Sequence, residues 1–178
     1  MTTALAHHHQ PASLLRLGAA LFALVGLAAA CSGGSAEAAG ESPDLTSISL
    51  TTDDGGTTTL AAYAGKPTVV NFFASYCSPC KAEMPDLEQI SQEFAGQVNV
   101  VGINRDIEES SWKSMVTETG VTFPTMFEGA TGQLFEAIDG RFMPTTIFLD
   151  AEGNMVQMVA GLQTEDSLRE YINTDLLG

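Results

Sequence analysis

The sequence predicts an α/β domain with a mixed central sheet flanked by helices. Three observations carry this. Two apolar, β-branched runs, TVVNFFA at 68–74 and VNVVGIN at 98–104, lack the alternation of a half-exposed strand and read as strands buried on both faces. Between them, Met84, Leu87, Ile90 and Phe94 fall on one helical stripe. TTIFLD at 145–150 and NMVQMVA at 154–160, joined by a turn at Glu152 and Gly153, add a closing strand pair. Strand–helix alternation calls for a parallel centre, and the closing hairpin makes the sheet mixed.

Taken in order, LTSISL at 45–50 leads through the turn signal DDGG to TTTL, an N-terminal hairpin. After the strand at 68–74 a helix starts near Pro79; Pro85 lies inside it and is expected to kink it. Ser110 or Ser111 can cap a second helix running to about Thr119, which Gly120 ends. TGQLFEAID at 131–139 reads as a short helix. Thr164 caps the last helix, with Glu165 and Asp166 in the first turn, where the helix dipole favours acids.

This domain is expected over residues 45–178. Ahead of it, Arg16 precedes an apolar run of 14 residues, Leu17 to Ala30. That is shorter than the roughly 20 residues of a membrane-spanning helix and suits a signal-peptide core. Residues 1–30 are therefore read as a signal peptide, which removes His7, His8 and His9 from any metal site. GLAAAC resembles a bacterial lipoprotein cleavage site, with Cys31 as the lipid-bearing first mature residue, although Ala28 stands where such sites favour Leu. Ordinary cleavage after the Ala-x-Ala pattern is the alternative. Residues 32–44 have linker composition and a mean reach of about 20 Å, enough to hold a domain just off a membrane surface.

Arg16 is the only charged residue among the first 30, so its removal takes the formal charge from −15 to −16. Such a surface excludes nucleic acid as a partner.

Cys77 and Cys80 stand three apart in NFFASYCSPCKAE, where a buried strand gives way to a helix. A zinc site needs four ligands, and past residue 30 the chain has no histidine and only one further cysteine, Cys31. No metal and no cofactor is expected. A purely structural disulfide fits an oxidising compartment, but so short a loop gains little chain entropy. At a helix N-terminus, unpaired N–H groups and the dipole favour a Cys77 thiolate, and Cys80, one turn in, points back toward it. A working dithiol is the favoured reading.

The ordered motifs DGG, GKP, NFFASYCSPCKAEMP, FP at 123–124 and MPTTIFLD at 143–150 resemble the thioredoxin superfamily. Specifically, they are similar to the extracytoplasmic TlpA/ResA-like (DsbE-type) thiol–disulfide oxidoreductases, over roughly Leu45 to Ala160. The resemblance implies a thioredoxin-like fold with a central α/β insertion, here about Asp106 to Asp139. It also implies a redox-active Cys77–Cys80 disulfide, with Cys77 as nucleophile and Cys80 as resolving cysteine. Pro144 would be the cis-proline facing the dithiol, and Tyr76, Met143, Pro144 and Thr145 the substrate-facing residues.

Two departures bear on mechanism. Asn71 stands where ordinary thioredoxins have a buried Asp, and it cannot take a proton. Glu83, one turn beyond Cys80, is an acid that TlpA/ResA-like proteins also carry. Partly buried, it would have a raised pKa and accept the Cys80 proton; an ordinary exposed first-turn glutamate is the alternative reading. Tyr76 replaces the usual Trp, keeping an aromatic wall but adding a hydroxyl.

The function expected is a membrane-tethered extracytoplasmic thiol–disulfide oxidoreductase, lipid-anchored on a bacterial cell membrane and acting on protein thiols or disulfides. As a reductant it would serve apocytochrome c or other secreted-protein thiols and need a membrane electron donor. As an oxidant it would donate disulfides to secreted proteins and need an acceptor. A peroxiredoxin-type site is disfavoured by Ala74 and Val70 where that family has Thr and Pro. A redox-inert binding module has no need of both cysteines.

Overall fold

The computed structural model describes residues 44–129 and 131–178. The expected signal segment, Cys31 and the linker through Pro43 lie outside the described residues.

The strands are β1 (Leu50–Thr52), β2 (Thr57–Thr58), β3 (Thr68–Phe73), β4 (Asn99–Asn104), β5 (Thr125–Phe127), β6 (Thr145–Leu149) and β7 (Met155–Ala160). The helices are α1 (Ser78–Glu93), α2 (Glu109–Thr119), α3 (Gln133–Ala137) and α4 (Glu165–Tyr171). All the strands form one sheet in the order β2-β1-β5-β4-β3-β6-β7. β3, β4 and β5 are parallel, while β6 and β7 return antiparallel on one side and β1 and β2 on the other. This is the thioredoxin-like fold, with its mixed central sheet and flanking helices.

Side chains of β3 alternate between two cores. Val69 and Phe73 pack with Met84, Leu87 and Ile90 of α1, Trp112 of α2 and Leu168 of α4. Val70 and Phe72 pack on the opposite face with Leu134, Phe135 and Ile138 around α3 and with Leu50. Period-2 alternation places Asn71 on the α1 face. Gly102 in β4 is required by packing, because a Cβ there would lie 2.9 Å from the Phe73 ring.

Several boundaries differ from the sequence reading. The N-terminal hairpin is present but begins at Leu50. Leu45–Ser47 forms a 3-10 turn, because the Asp44 side chain accepts the Thr46 N–H and caps it. α1 agrees with the sequence reading, running from Ser78 to Glu93 with Pro85 inside it. α2 starts before either serine, with Glu108 at its N-cap and no side-chain capping bond, and ends at Gly120 in the left-handed conformation. β5 was not expected: three residues after a proline carry no strand pattern, and β5 exists because β1 and β4 pair with it. Thr164 caps α4 through a reciprocal bond with Ser167.

The registers bring three chain segments to one end of the sheet. Phe73, last in β3, pairs with Asn104, last in β4, while Phe72 pairs with Thr145, first in β6. The connections 74–77, 105–108 and 142–144 therefore emerge side by side.

Candidate active site at the N-terminus of α1

At that end Cys77 and Cys80 are joined in a disulfide, with their Cα atoms 5.3 Å apart. Cys77 is the N-cap of α1, and its Sγ accepts the backbone N–H of Cys80 at 3.2 Å. Orphan N–H groups of a first turn stabilise negative charge, so this sulfur suits a thiolate when the pair is reduced. Cys77 reaches the surface and Cys80 does not, at 8% and 0% exposure. The geometry separates a sulfur that can meet a partner from one that can meet only Cys77.

Glu83 lies one turn behind Cys80 and is fully buried. Asn71 Nδ2 donates to its Oε1 at 2.7 Å, and the Gln163 backbone N–H donates to its Oε2 at 3.0 Å. Burial outweighs both bonds, with a smaller push from Asp86, and raises its pKa from 4.5 to about 7. A carboxyl group that exchanges its proton near neutrality can serve a thiol as base.

A second acid holds the loop ahead of the cysteines. Asp106 accepts the Ser75 backbone N–H at 3.1 Å and its hydroxyl at 2.9 Å, while Asn104 Nδ2 donates to the other carboxylate oxygen at 2.9 Å. Glu128 does similar work behind it. Its Oε1 pairs with Arg105 at 2.6 Å, and its Oε2 caps α3 by accepting the N–H groups of Leu134 and Phe135. Burial raises the Glu128 pKa despite the guanidinium.

The remaining sequence candidates fall as follows. Tyr76 is 70% exposed beside the disulfide. The Met143–Pro144 peptide is cis, Met143 is half-buried and packs against both cores, and Pro144 is buried with its carbonyl accepting the Gly161 N–H. Thr145 differs from its expected surface role: it is 1% exposed and its hydroxyl donates to the Phe142 carbonyl, which turns the side chain into the loop's support. Lys81 and Glu118 pair with each other beside a depression of about 280 Å³ that Ser75 and Met115 also line. Trp112 is core, stacked on Phe127 and donating to Thr125.

Four site residues escaped the sequence reading. Ile107 and Phe142, 77% and 70% exposed like Tyr76, lie in the connections 105–108 and 142–144, which emerge at the same end of the sheet as the one that carries Cys77. An exposed apolar residue within a loop carries no periodic signal. Asp106 and Gln163 act through contacts 31 and 80 residues away in the chain, which no local pattern reports. Among the described residues no group of three His, Cys, Asp or Glu could hold a metal ion, and no helix is long and apolar enough to cross a membrane.

The chain belongs to the Redoxin family, whose model matches residues 38–172. It is similar to the thiol-disulfide oxidoreductase ResA of Bacillus subtilis, 29% identical over 138 residues, covering 77% of this chain and 76% of that one. Among solved structures it resembles the exposed lipoprotein thioredoxin Etrx1 of Streptococcus pneumoniae at 28% identity and TM-score 0.61, covering 70% of this chain and 96% of that one. A secreted disulfide oxidoreductase of Mycobacterium tuberculosis, 24% identical with TM-score 0.65 and coverage of 73% and 96%, shares the fold. The protein is thus a TlpA/ResA-like member of the thioredoxin superfamily and a thiol–disulfide oxidoreductase.

Proposed function

We propose that the protein exchanges disulfides with extracytoplasmic proteins through Cys77 and Cys80 while tethered to a bacterial membrane by lipid on Cys31. The observation that carries the exchange reading is the cysteine pair itself: one sulfur at the surface on a helix N-cap, the other buried one helical turn ahead of the buried Glu83. In the reducing direction, the Cys77 thiolate attacks a partner disulfide and one partner sulfur leaves as thiolate. Glu83 then takes the Cys80 proton. The Cys80 thiolate attacks Cys77 Sγ, closing the intramolecular disulfide and releasing the second partner sulfur. Two electrons pass to the partner, and each released thiolate takes a proton.

Tyr76, Ile107, Phe142 and Met143 would form the face that receives the partner segment, with Pro144 behind it. The substrates in this reading are disulfides of secreted proteins, apocytochrome c among them, which leave as thiols, and a membrane electron donor restores the dithiol. The tether is supported by the segment Leu17–Ala30 before Cys31 and by the similarity to a lipoprotein thioredoxin. The domain boundaries that accompany it are a signal peptide over 1–30, a linker over 32–44 and the folded domain over 45–178.

Equilibrating the pair against defined thiol buffers tests the direction. Thioredoxin lies at about −270 mV and a strong oxidant at about −120 mV. A value near or below the reducing end supports the reductant; one near the oxidising end replaces it with a donor of disulfides.

A further inference from the structure

Asn71 is fully buried, and its two polar atoms are unequally served. Nδ2 donates to Glu83 Oε1 at 2.7 Å and to Thr146 Oγ1 at 3.1 Å. Oδ1 has no hydrogen-bond partner among the described residues. Buried amide oxygens are almost always partnered, so an orphan beside an ionisable group asks for a reason.

The surroundings supply one. Glu83 Oε2 faces the backbone N–H of Gln163, which can only donate, so that oxygen remains an acceptor whatever the charge on Glu83. A proton taken up by Glu83 then belongs on Oε1, the oxygen that faces Asn71. The amide orientation in the structure, with Nδ2 toward Oε1, is the one that best serves an unprotonated Oε1.

We infer that the Asn71 amide is a two-position element whose orientation follows the charge on Glu83. A half-turn about its terminal torsion exchanges Nδ2 and Oδ1. In the turned state Oδ1 accepts from the protonated Glu83 Oε1 and from the Thr146 hydroxyl, which can donate as readily as it accepts. The turn does not remove the orphan; it changes it from oxygen to nitrogen. The two orientations therefore differ in what they offer Glu83, and the proton decides between them. An amide suits this position because it presents either a donor or an acceptor without ionising, which Asp and Leu cannot do.

Asn71 is thus a positioning residue for the proton transfer, and this inference rests on Glu83 being the proton acceptor of Cys80. When Cys80 S–H gives its proton to Glu83, one S–H bond breaks and one O–H bond forms. The turned amide then holds that proton while the Cys80 thiolate attacks. The groups bonded to Glu83 are the Asn71 amide of β3 and the Gln163 N–H of the loop after β7, and Thr146 of β6 is bonded to Asn71 in turn; all are uncharged. On α1 the groups concerned are Asp86, which acts on it through its charge, and Cys80.

The test is side-chain amide NMR of Asn71 in the intact protein, reduced and oxidised, across a pH range spanning the Glu83 titration at about 7. Expected are shifts of both Asn71 N–H signals with the same midpoint as the Glu83 carboxyl carbon, and loss of those shifts in Glu83→Gln. Asn71 signals that stay flat while Glu83 titrates overturn the switch alone. A Glu83→Gln variant whose Cys80 thiol titration is unchanged overturns the proton step and the switch together.

Discussion

Asp106 reaches from the end of β4 to Ser75, accepting both its backbone N–H at 3.1 Å and its hydroxyl at 2.9 Å, two residues before Cys77. The carboxylate is 2% exposed and is served entirely by hydrogen-bond donors from Ser75 and Asn104. The start of the central insertion thereby fixes the loop that presents the surface cysteine.

Asp106→Ala leaves the Ser75 N–H without its acceptor and the loop without its anchor. The expected cost is about 1–3 kcal/mol of stability. Attack by Cys77 should slow roughly tenfold as its position loosens. Chemical unfolding and the rate of Cys77 alkylation, measured on the same sample, check both.

Glu83 makes stability depend on pH. Its folded pKa of about 7 lies above the ordinary value of 4.5, so the folded state favours the protonated carboxyl. The stabilisation is complete below about pH 4.5 and is lost as the pH rises through about 7. Glu83→Gln removes this slope. In denaturant titrations of the oxidised protein, the variant should gain on the parent by roughly 3 kcal/mol between pH 4 and pH 8. A constant difference across that range contradicts the buried, neutral-range carboxyl.

Tyr76, Ile107 and Phe142 are the three most exposed large apolar side chains among the described residues, and all three lie in connections at the end of the sheet where the disulfide sits. Phe142→Ser and Ile107→Ser should change stability by no more than about 0.5 kcal/mol. Each should cost about 1–2 kcal/mol in kcat/KM toward an apolar peptide disulfide. Reduction of a small soluble disulfide should be unaffected, because it needs only the sulfur.

The Arg105–Glu128 pair fastens α3 to the sheet, and the guanidinium also lies 4.0 Å above the Phe135 ring. Arg105→Ala leaves a buried carboxylate without its cation, at an expected cost of about 3 kcal/mol. Glu128→Gln, which retains an oxygen for the Leu134 and Phe135 N–H groups, should cost less. Thermal unfolding of the two variants ranks them.

Much of this was legible in the sequence where the signal is local. The apolar run ending at Phe73, the Met84–Leu87–Ile90 stripe, the Thr164 cap and the Cys77–Cys80 spacing each follow from a few adjacent residues. The short β5 was not, because it owes its existence to partners on both sides. The start of α2 was missed because two serines look like better caps than Glu108. Glu83 could be suspected from its position one turn past Cys80. Its partners could not: Gln163 comes from a loop 80 residues on, and Thr146 from the facing strand. Hydrogen bonds set by tertiary packing leave no trace in periodicity.

Mixing the reduced Cys80→Ser protein with a disulfide-bonded peptide and mapping the product by mass spectrometry tests whether Cys77 is the attacking sulfur. An accumulated mixed disulfide through Cys77 Sγ is expected, since no resolving sulfur remains, and none with Cys77→Ser. No adduct at Cys77, or equal adduct formation in the Cys77→Ser protein, would contradict exchange initiated at the helix N-cap.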